Sequence, residues 1–398
     1  MNRRIYSIDS LRAIAMTMVV AQHSGLLPFG WTGVWLFYVI SGFVISRNLI
    51  EERATLMPGS SGHYLSFVVR RIFRIVPPYA AYIAICAVVA LLMELPPQVS
   101  ELPYLASFTY NWRMIFTTGP LPAAFGHLWT ISVEEQFYVL FPLLILLLRR
   151  DRAVLGLIAI VALGPVFRNL VAEYVSVAVS SDPERIAFGV YASSVGQFDA
   201  FALGALLAHF EGHIRRSPQI AVGLAWLAVL SALVYAVTYA GVNISEGARG
   251  IDIVRNIISG ILAGQKRELF VYITVDLCAV AVVAGAIAEW RIFRILEEPS
   301  LISVGQASYG GYLFHAIILI VIAELIGIPN TQEPIFFRVL IFVFAWCCTV
   351  AVARTSYRVF ERQFIRYGHQ ISNQILRKAR RDGITVPRWT VPGKRHDG

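Results

Sequence analysis

Charge is scarce in this chain: Asp, Glu, Lys and Arg make up 15% of its 398 residues, while apolar residues reach 57% and the mean hydropathy is +0.63. A soluble domain carries roughly a quarter charged residues, so the deficit excludes water as the main solvent of the fold and leaves lipid. Cysteine is rare as well. Cys86, Cys278, Cys347 and Cys348 lie in apolar segments without the spacing or partners of a disulfide framework or a zinc site, and they read as packing residues. Internal repeats, low-complexity blocks, long linkers and a soluble appendage are missing, which points to one membrane domain over residues 1–366. After it, 367–398 reads as a polar, basic cytoplasmic tail, helical at first and then fraying around Pro387, Pro392 and Gly393.

Apolar runs near the twenty residues needed to cross a bilayer are what recurs. Backbone groups in lipid must be satisfied within each segment, and strand-length alternation is not the repeating pattern, so the fold class is all-α: a polytopic integral membrane protein with about ten transmembrane helices. The spans fall near 9–27, 31–50, 76–95, 126–148, 153–172, 190–210, 218–240, 269–288, 308–327 and 335–354. The first carries Asp9, Arg12 and His23 and is followed at once by a second, unlike a cleaved secretory signal. Arg3 and Arg4, then Arg70, Arg71 and Arg74, then Arg149, Arg150 and Arg152, then Arg215 and Arg216, then Arg291 and Arg294, and finally the tail, all fall on one side of the membrane. By the positive-inside rule that side is cytoplasmic, and both termini with it. The loop 241–268 is discordant, with Arg249, Arg255, Lys266 and Arg267 on the outer side; either it has a role there or a span is miscounted. The net charge of +9 thus follows from topology and an anionic inner leaflet, without nucleic acid.

Ionisable side chains at membrane depth cost several kcal/mol unless paired or hydrated, so each is a candidate for function. Arg12 and His23 are eleven residues apart, which puts them within roughly 20° on one helical face and about 16 Å apart along it. They can line one aqueous pore, the Arg holding an anionic group and the His acting as a base. Alternatively, Asp9 and Arg12 form a boundary ion pair and His23 reaches the outer interface. Gly30, Gly33 and Gly42 in the second span read as close-packing positions, with Ser41 a weaker catalytic option. Arg71 and Arg74, one turn apart before the third span, can grip phosphates in a fork or simply anchor the inner face. The fourth span opens with His127, Trp129, Ser132, Glu134, Glu135 and Tyr138. Counted as helix, His127, Glu134 and Tyr138 share a face, so Glu134 can orient a catalytic histidine; the competing reading is a structural polar network. Asp199 reads as a polar group satisfied by a neighbouring helix, and His315 as either a cavity residue or a packing one.

At these positions the chain resembles the membrane acyltransferase-3 family, which includes bacterial O-antigen, exopolysaccharide and nodulation-factor O-acetyltransferases. The resemblance rests on Arg12 and His23; Gly33-Val34 leading to Ser41-Gly42-Phe43; Arg71, Arg74, Pro77 and Tyr79; Trp129, Ser132, Glu134, Glu135 and Tyr138; then Ser308-Tyr309, Tyr312, His315 and Glu361. It implies acyl transfer from acyl-CoA, commonly acetyl-CoA, to a hydroxyl of a lipid-linked or polymeric carbohydrate, in the bacterial cytoplasmic membrane. The donor is a substrate; no permanently bound cofactor and no metal is expected. The resemblance casts Arg71, Arg74, Arg70 and Arg12 as donor-binding residues and His23 as general base, or as a transient acyl carrier, with Arg12 and Glu134 beside it. Asp9, His127, Trp129, Ser132, Glu135, Tyr138, Tyr309 and His315 are further pore candidates. Membrane lipids and polysaccharide-assembly proteins are the expected partners. Many relatives have Arg two residues before the sixth-span Asp, where this chain has Gln197. The rival readings are a secondary transporter or flippase, against which stands the lack of repeated halves, and a non-catalytic assembly partner in polysaccharide export.

Overall fold

The computed structural model describes residues 4–55, 61–94, 98–117, 119–258, 264–326 and 334–381, and among these it contains no strand. Eleven long helices carry the fold: α1 (Tyr6–His23), α2 (Thr32–Thr55), α3 (Ser61–Leu92), α4 (Trp129–Leu147), α5 (Arg150–Ala178), α6 (Phe198–Arg216), α7 (Gln219–Ser245), α8 (Arg267–Ile287), α9 (Ser308–Ile326), α10 (Ile335–Ser356) and α11 (Arg362–Arg381). Each of the ten expected spans corresponds to one of α1 to α10. Among the described residues, eight helical stretches are long and apolar enough to cross a membrane, the last running through α10 and α11. The two spans outside that set are α1 and α6. Both are diluted by polar groups, Asp9, Arg12 and His23 in one and Asp199, His209 and Glu211 in the other. They tolerate this because they face protein rather than lipid.

The bundle is layered accordingly. The apolar window of α2 is 72% buried and that of α7 only 11%, so α2 sits at the centre and α7 at the lipid-facing rim. The closest packing is between α2 and α6. A Cβ on Gly42 would collide with the Phe201 carbonyl, and one on Gly204 with the Val39 carbonyl, so neither backbone could approach the other with larger residues there. Beside this contact Phe201 stacks on Tyr38 with ring centroids 4.4 Å apart and on Phe137 at 4.2 Å. The packing reading of the second-span glycines is what the structure shows.

Two boundaries differ from expectation. The third span starts at Ser61 rather than near 76, so Arg70, Arg71 and Arg74 are helical and not in a loop. Its 32 residues make about 48 Å of helix, beyond a hydrocarbon core of roughly 30 Å. The projecting start is braced by α11. Arg70 donates to Ser372 Oγ at 2.7 Å, and Phe73 meets Tyr367 edge-on at 5.4 Å. The expected domain break at 366/367 therefore falls inside a helix packed on the bundle, while the rest of the tail, 382–398, lies outside the described residues. The discordant loop joins α7 to α8 as the span count placed it. Within it, Arg267 is buried over the Tyr239 ring at 5.2 Å and donates to Gln265, and the side chain of Arg255 and residues 259–263 lie outside the described residues. Cys86 is buried, but Cys278 and Cys347 are exposed on the outer face of the bundle, so only the first is a core packing residue.

Candidate active site

Three cavities follow one another through the bundle between α1, α2, α4 and α9. At the basic end, about 340 Å³ is bordered by Arg4, Asp9, Arg12, Arg47, Arg74 and Tyr357. A narrow central cavity of about 70 Å³ is bordered by Arg12, Ser41, Arg71, Arg74, Glu134 and Tyr138. At the far end, about 430 Å³ is bordered by Gln22, His23, Trp31, His127, Trp129 and Tyr191. Arg12 and Arg74 belong to the first two, and Val34, Thr130 and Tyr312 to the last two, so the three form a column. Arg12 and His23 border successive chambers of it. The eleven-residue spacing on α1 places them on one face, as the helical count requires.

Charge in the column is divided by compensation. Asp9 takes Arg4 as its partner at 2.6 Å, not Arg12. Arg70 pairs with Glu52 at 2.6 Å and borders none of the three cavities. Arg47 pairs with Glu211 at 2.8 Å. Arg12, Arg71 and Arg74, by contrast, close no ion pair with a carboxylate among the described residues, and all three border the central cavity. Arg71 lies over the Tyr138 ring at 5.1 Å and the Phe67 ring at 5.4 Å. Three guanidiniums without a direct carboxylate partner, with Glu134 as the carboxylate on the same cavity, leave the shaft basic enough to attract an anion.

Glu134 lies on this arginine side. Its Oε1 accepts from Ser41 Oγ at 2.5 Å and from the Tyr138 hydroxyl, and the two hydroxyls are 2.8 Å apart. The expected pairing of Glu134 with His127 fails for a local reason. His127 belongs to a 3₁₀ segment, Ala123–Leu128, ahead of α4, so the α-helical count across the two residues does not hold. Its Nε2 donates instead to the Leu313 carbonyl at 3.1 Å. Ser132 donates to the Leu128 carbonyl at 3.4 Å and Glu135 sits behind the wall with Oε1 buried; neither borders the column. Tyr309 borders the central cavity and donates to the Ile75 carbonyl at 3.2 Å.

His23 is the last residue of α1 and is exposed within the far chamber. Its partner is His315: His23 Nδ1 and His315 Nε2 are 2.7 Å apart, with the ring centroids 4.9 Å apart and the planes within 20° of parallel. His127 closes the group, its ring 5.0 Å from that of His315. A Cβ on Gly311 would strike the Met16 side chain, so the glycine one turn before His315 is what lets α9 come this close to α1. Trp31, Trp129 and Tyr191 face the chamber, with the last two at 4.7 Å, and give broad apolar faces beside the imidazoles.

Sequence reading passed over two features. The hydroxyls of Thr130 and Tyr312 meet at 2.7 Å at the narrowing between chambers, and Tyr312 was visible only as part of a motif. Arg168, fully buried in α5, supplies Asp199 with a guanidinium at 2.7 Å and also donates to the Gly196 carbonyl. Gln197, in the place where many relatives have Arg, accepts from Trp35 Nε1 at 3.1 Å. An arginine inside the apolar run 153–172, at position 168, was the available signal.

The model of the Acyltransferase domain family matches residues 5–354. The O-acetyltransferase OatA of Staphylococcus aureus (strain NCTC 8325 / PS 47) is 25% identical over 395 residues, 92% of this chain and 58% of the relative. The Peptidoglycan O-acetyltransferase OatA of Listeria monocytogenes is 29% identical over 230 residues, 54% of this chain and 35% of the relative. The Putative peptidoglycan O-acetyltransferase YrhL of Bacillus subtilis is 23% identical over 387 residues, 91% and 55% of the two chains. The chain thus spans about half the length of the curated relatives it matches along most of its length. No solved structure matches it significantly.

Proposed function

The chain belongs to the membrane acyltransferase-3 family, and on that premise we propose that it moves an acetyl group from acetyl-CoA to a hydroxyl of a cell-envelope glycan. The observation that carries the reading is the division of the column: Arg12, Arg71 and Arg74 without a direct carboxylate partner at one end, and His23 exposed in a wide aromatic chamber at the other. The basic end faces the cytoplasm by the positive-inside rule, with both termini on that side of the bacterial inner membrane. Phosphates of the donor bind Arg12, Arg71 and Arg74, because guanidinium forks match phosphate oxygens. The pantetheine arm then runs through the central cavity, about 16 Å from Arg12 to His23 along α1.

In the far chamber the acceptor hydroxyl meets His23. The imidazole takes the hydroxyl proton as its oxygen attacks the thioester carbonyl; the carbon–sulfur bond breaks, and the thiolate recovers a proton as free thiol. That is general-base catalysis, typically worth 10²–10⁴-fold. Trp31, Trp129 and Tyr191 offer apolar faces for sugar rings. Two of the relatives described above carry peptidoglycan in their names, and the acceptor we favour is of that class.

The test is thiol release. The purified protein in lipid nanodiscs is given acetyl-CoA with and without peptidoglycan fragments, and free coenzyme A is followed with a thiol reagent. Acceptor-dependent release is expected in wild type and its loss in His23→Ala. Equal release in the two proteins would remove His23 as the base.

A further inference from the structure

A base of this kind must present a bare ring nitrogen to the acceptor hydroxyl, and nothing in His23 alone decides which nitrogen that is. In serine-type triads a carboxylate decides it. Among the described residues no carboxylate reaches His23; its polar partner is His315. The chain of contacts can be followed from a group whose role is fixed. The Tyr312 carbonyl can only accept, and His315 Nδ1 lies 2.6 Å from it, so Nδ1 carries the hydrogen. In a neutral imidazole the other nitrogen, Nε2, is then a lone-pair acceptor. At 2.7 Å from it, His23 Nδ1 must be the donor, and Nε2 of His23, which borders the far chamber, is left without a hydrogen.

We propose that His315 is a positioning residue that fixes the reactive tautomer of His23, so that Nε2 is the nitrogen that takes the acceptor proton. This rests on the reading of His23 as the base. The proton balance is complete without a further group. The hydroxyl hydrogen passes to His23 Nε2 while the oxygen–carbonyl bond forms, giving an imidazolium whose Nδ1–H is still held by His315. The carbon–sulfur bond then breaks and the same Nε2–H passes to the thiolate, restoring the starting tautomer. The transient cation lies at the C-terminus of α1, where the helix dipole favours positive charge. A neutral orienting group also explains how the site dispenses with a buried carboxylate beside the glycan.

The two rings are 292 residues apart in sequence and are brought together where α1 packs on α9, with Gly311 against Met16, which makes the geometry a property of the α1–α9 interface. Two measurements test it. The first is the side-chain nitrogen NMR spectrum of ¹⁵N-histidine-labelled protein in nanodiscs, with His23 assigned by its loss in His23→Ala. A protonated Nδ1 and bare Nε2 are expected in wild type; a protonated Nε2 overturns the proposal whether or not any variant folds. The second is turnover with acetyl-CoA and peptidoglycan fragments. His315→Leu removes the acceptor and is expected to lower kcat about 100-fold or more with the acetyl-CoA KM within threefold. His315→Gln, whose amide oxygen can stand where Nε2 stands, is expected to recover to within tenfold of wild type. Wild-type kcat in a folded His315→Leu protein, or a Gln variant no better than Leu, overturns the proposal. Retained turnover in His23→Ala would instead count against the base itself and leave the NMR result to judge the tautomer separately.

Discussion

If the donor thioester must pass from the arginine end to His23, it crosses the junction of the central and far cavities, and Val34 borders that junction with Thr130 and Tyr312. The valine is 5% exposed and borders both the central and the far cavities. The central space is about 70 Å³, the smallest of the three cavities in the column. Val34→Phe sends an aromatic ring into it and leaves no path for an acyl-pantetheine arm. Overpacking costs about 1–3 kcal/mol of stability, small enough to keep a folded protein, while a misplacement of about 1 Å at the reacting centre costs on the order of 100-fold in rate. The expected result is acetyl-CoA affinity within about threefold of wild type and a transfer rate lowered 100-fold or more, because Arg12, Arg71 and Arg74 stay in place. Val34→Ala, which widens the same point, is expected to keep the rate within about tenfold. Calorimetric titration of acetyl-CoA into nanodisc-embedded protein gives the affinity, and thiol release gives the rate. A folded Val34→Phe protein that transfers at the wild-type rate would show that donor and base do not meet through this column.

The membrane made the architecture readable, because it imposes a length: each of the ten apolar runs became a helix. The inner helices were readable for a related reason. Asp9, Arg12 and His23 in α1, and Asp199 in α6, are tolerated only where protein replaces lipid. What failed was local. The Arg70–Arg74 segment reads as a loop because charged residues flank an apolar run, yet packing against α11 extends the helix through it. His127 and Glu134 read as one face because a 3₁₀ turn between them leaves no mark in composition. The partner of Asp9 proved to be Arg4, five residues before it, which releases Arg12 to the column. The contact that matters most to the proposed chemistry, His23 with His315, joins residues 292 apart in sequence, and no periodicity can show it. The bonds of Ser41 to Glu134 and Tyr138 were hidden for the same reason, since they span 93 and 97 residues.

Three further outcomes follow from the geometry. Arg74→Ala should raise the acetyl-CoA KM by about 10–100-fold, since a hydrogen bond to a charged group is worth roughly 1.5–3 kcal/mol, whereas Arg70→Ala, held by Glu52, should leave that KM within threefold; equal effects in steady-state kinetics would erase the distinction between compensated and free arginines. Gly311→Val should push α9 off Met16 and lower turnover about 10–100-fold, and Met16→Ala in the same chain should restore part of it; the absence of coupling in this double-mutant cycle would mean that the α1–α9 contact does not hold the two histidines together. The buried pair gives the sharpest stability test. Arg168 and Asp199 have side chains 0% and 4% exposed, and removing one member of such a pair costs about 3–5 kcal/mol because the other charge stays buried and alone. Arg168→Met should therefore lower the melting temperature strongly, the more so because Asp276 lies close enough to feel the same guanidinium. Arg168→Met with Asp199→Leu removes the acid bonded directly to that guanidinium and should recover part of the loss, with Asp276 still buried beside the site. If the single and double variants melt together in detergent, the pair contributes specific bonding and not merely mutual neutralisation.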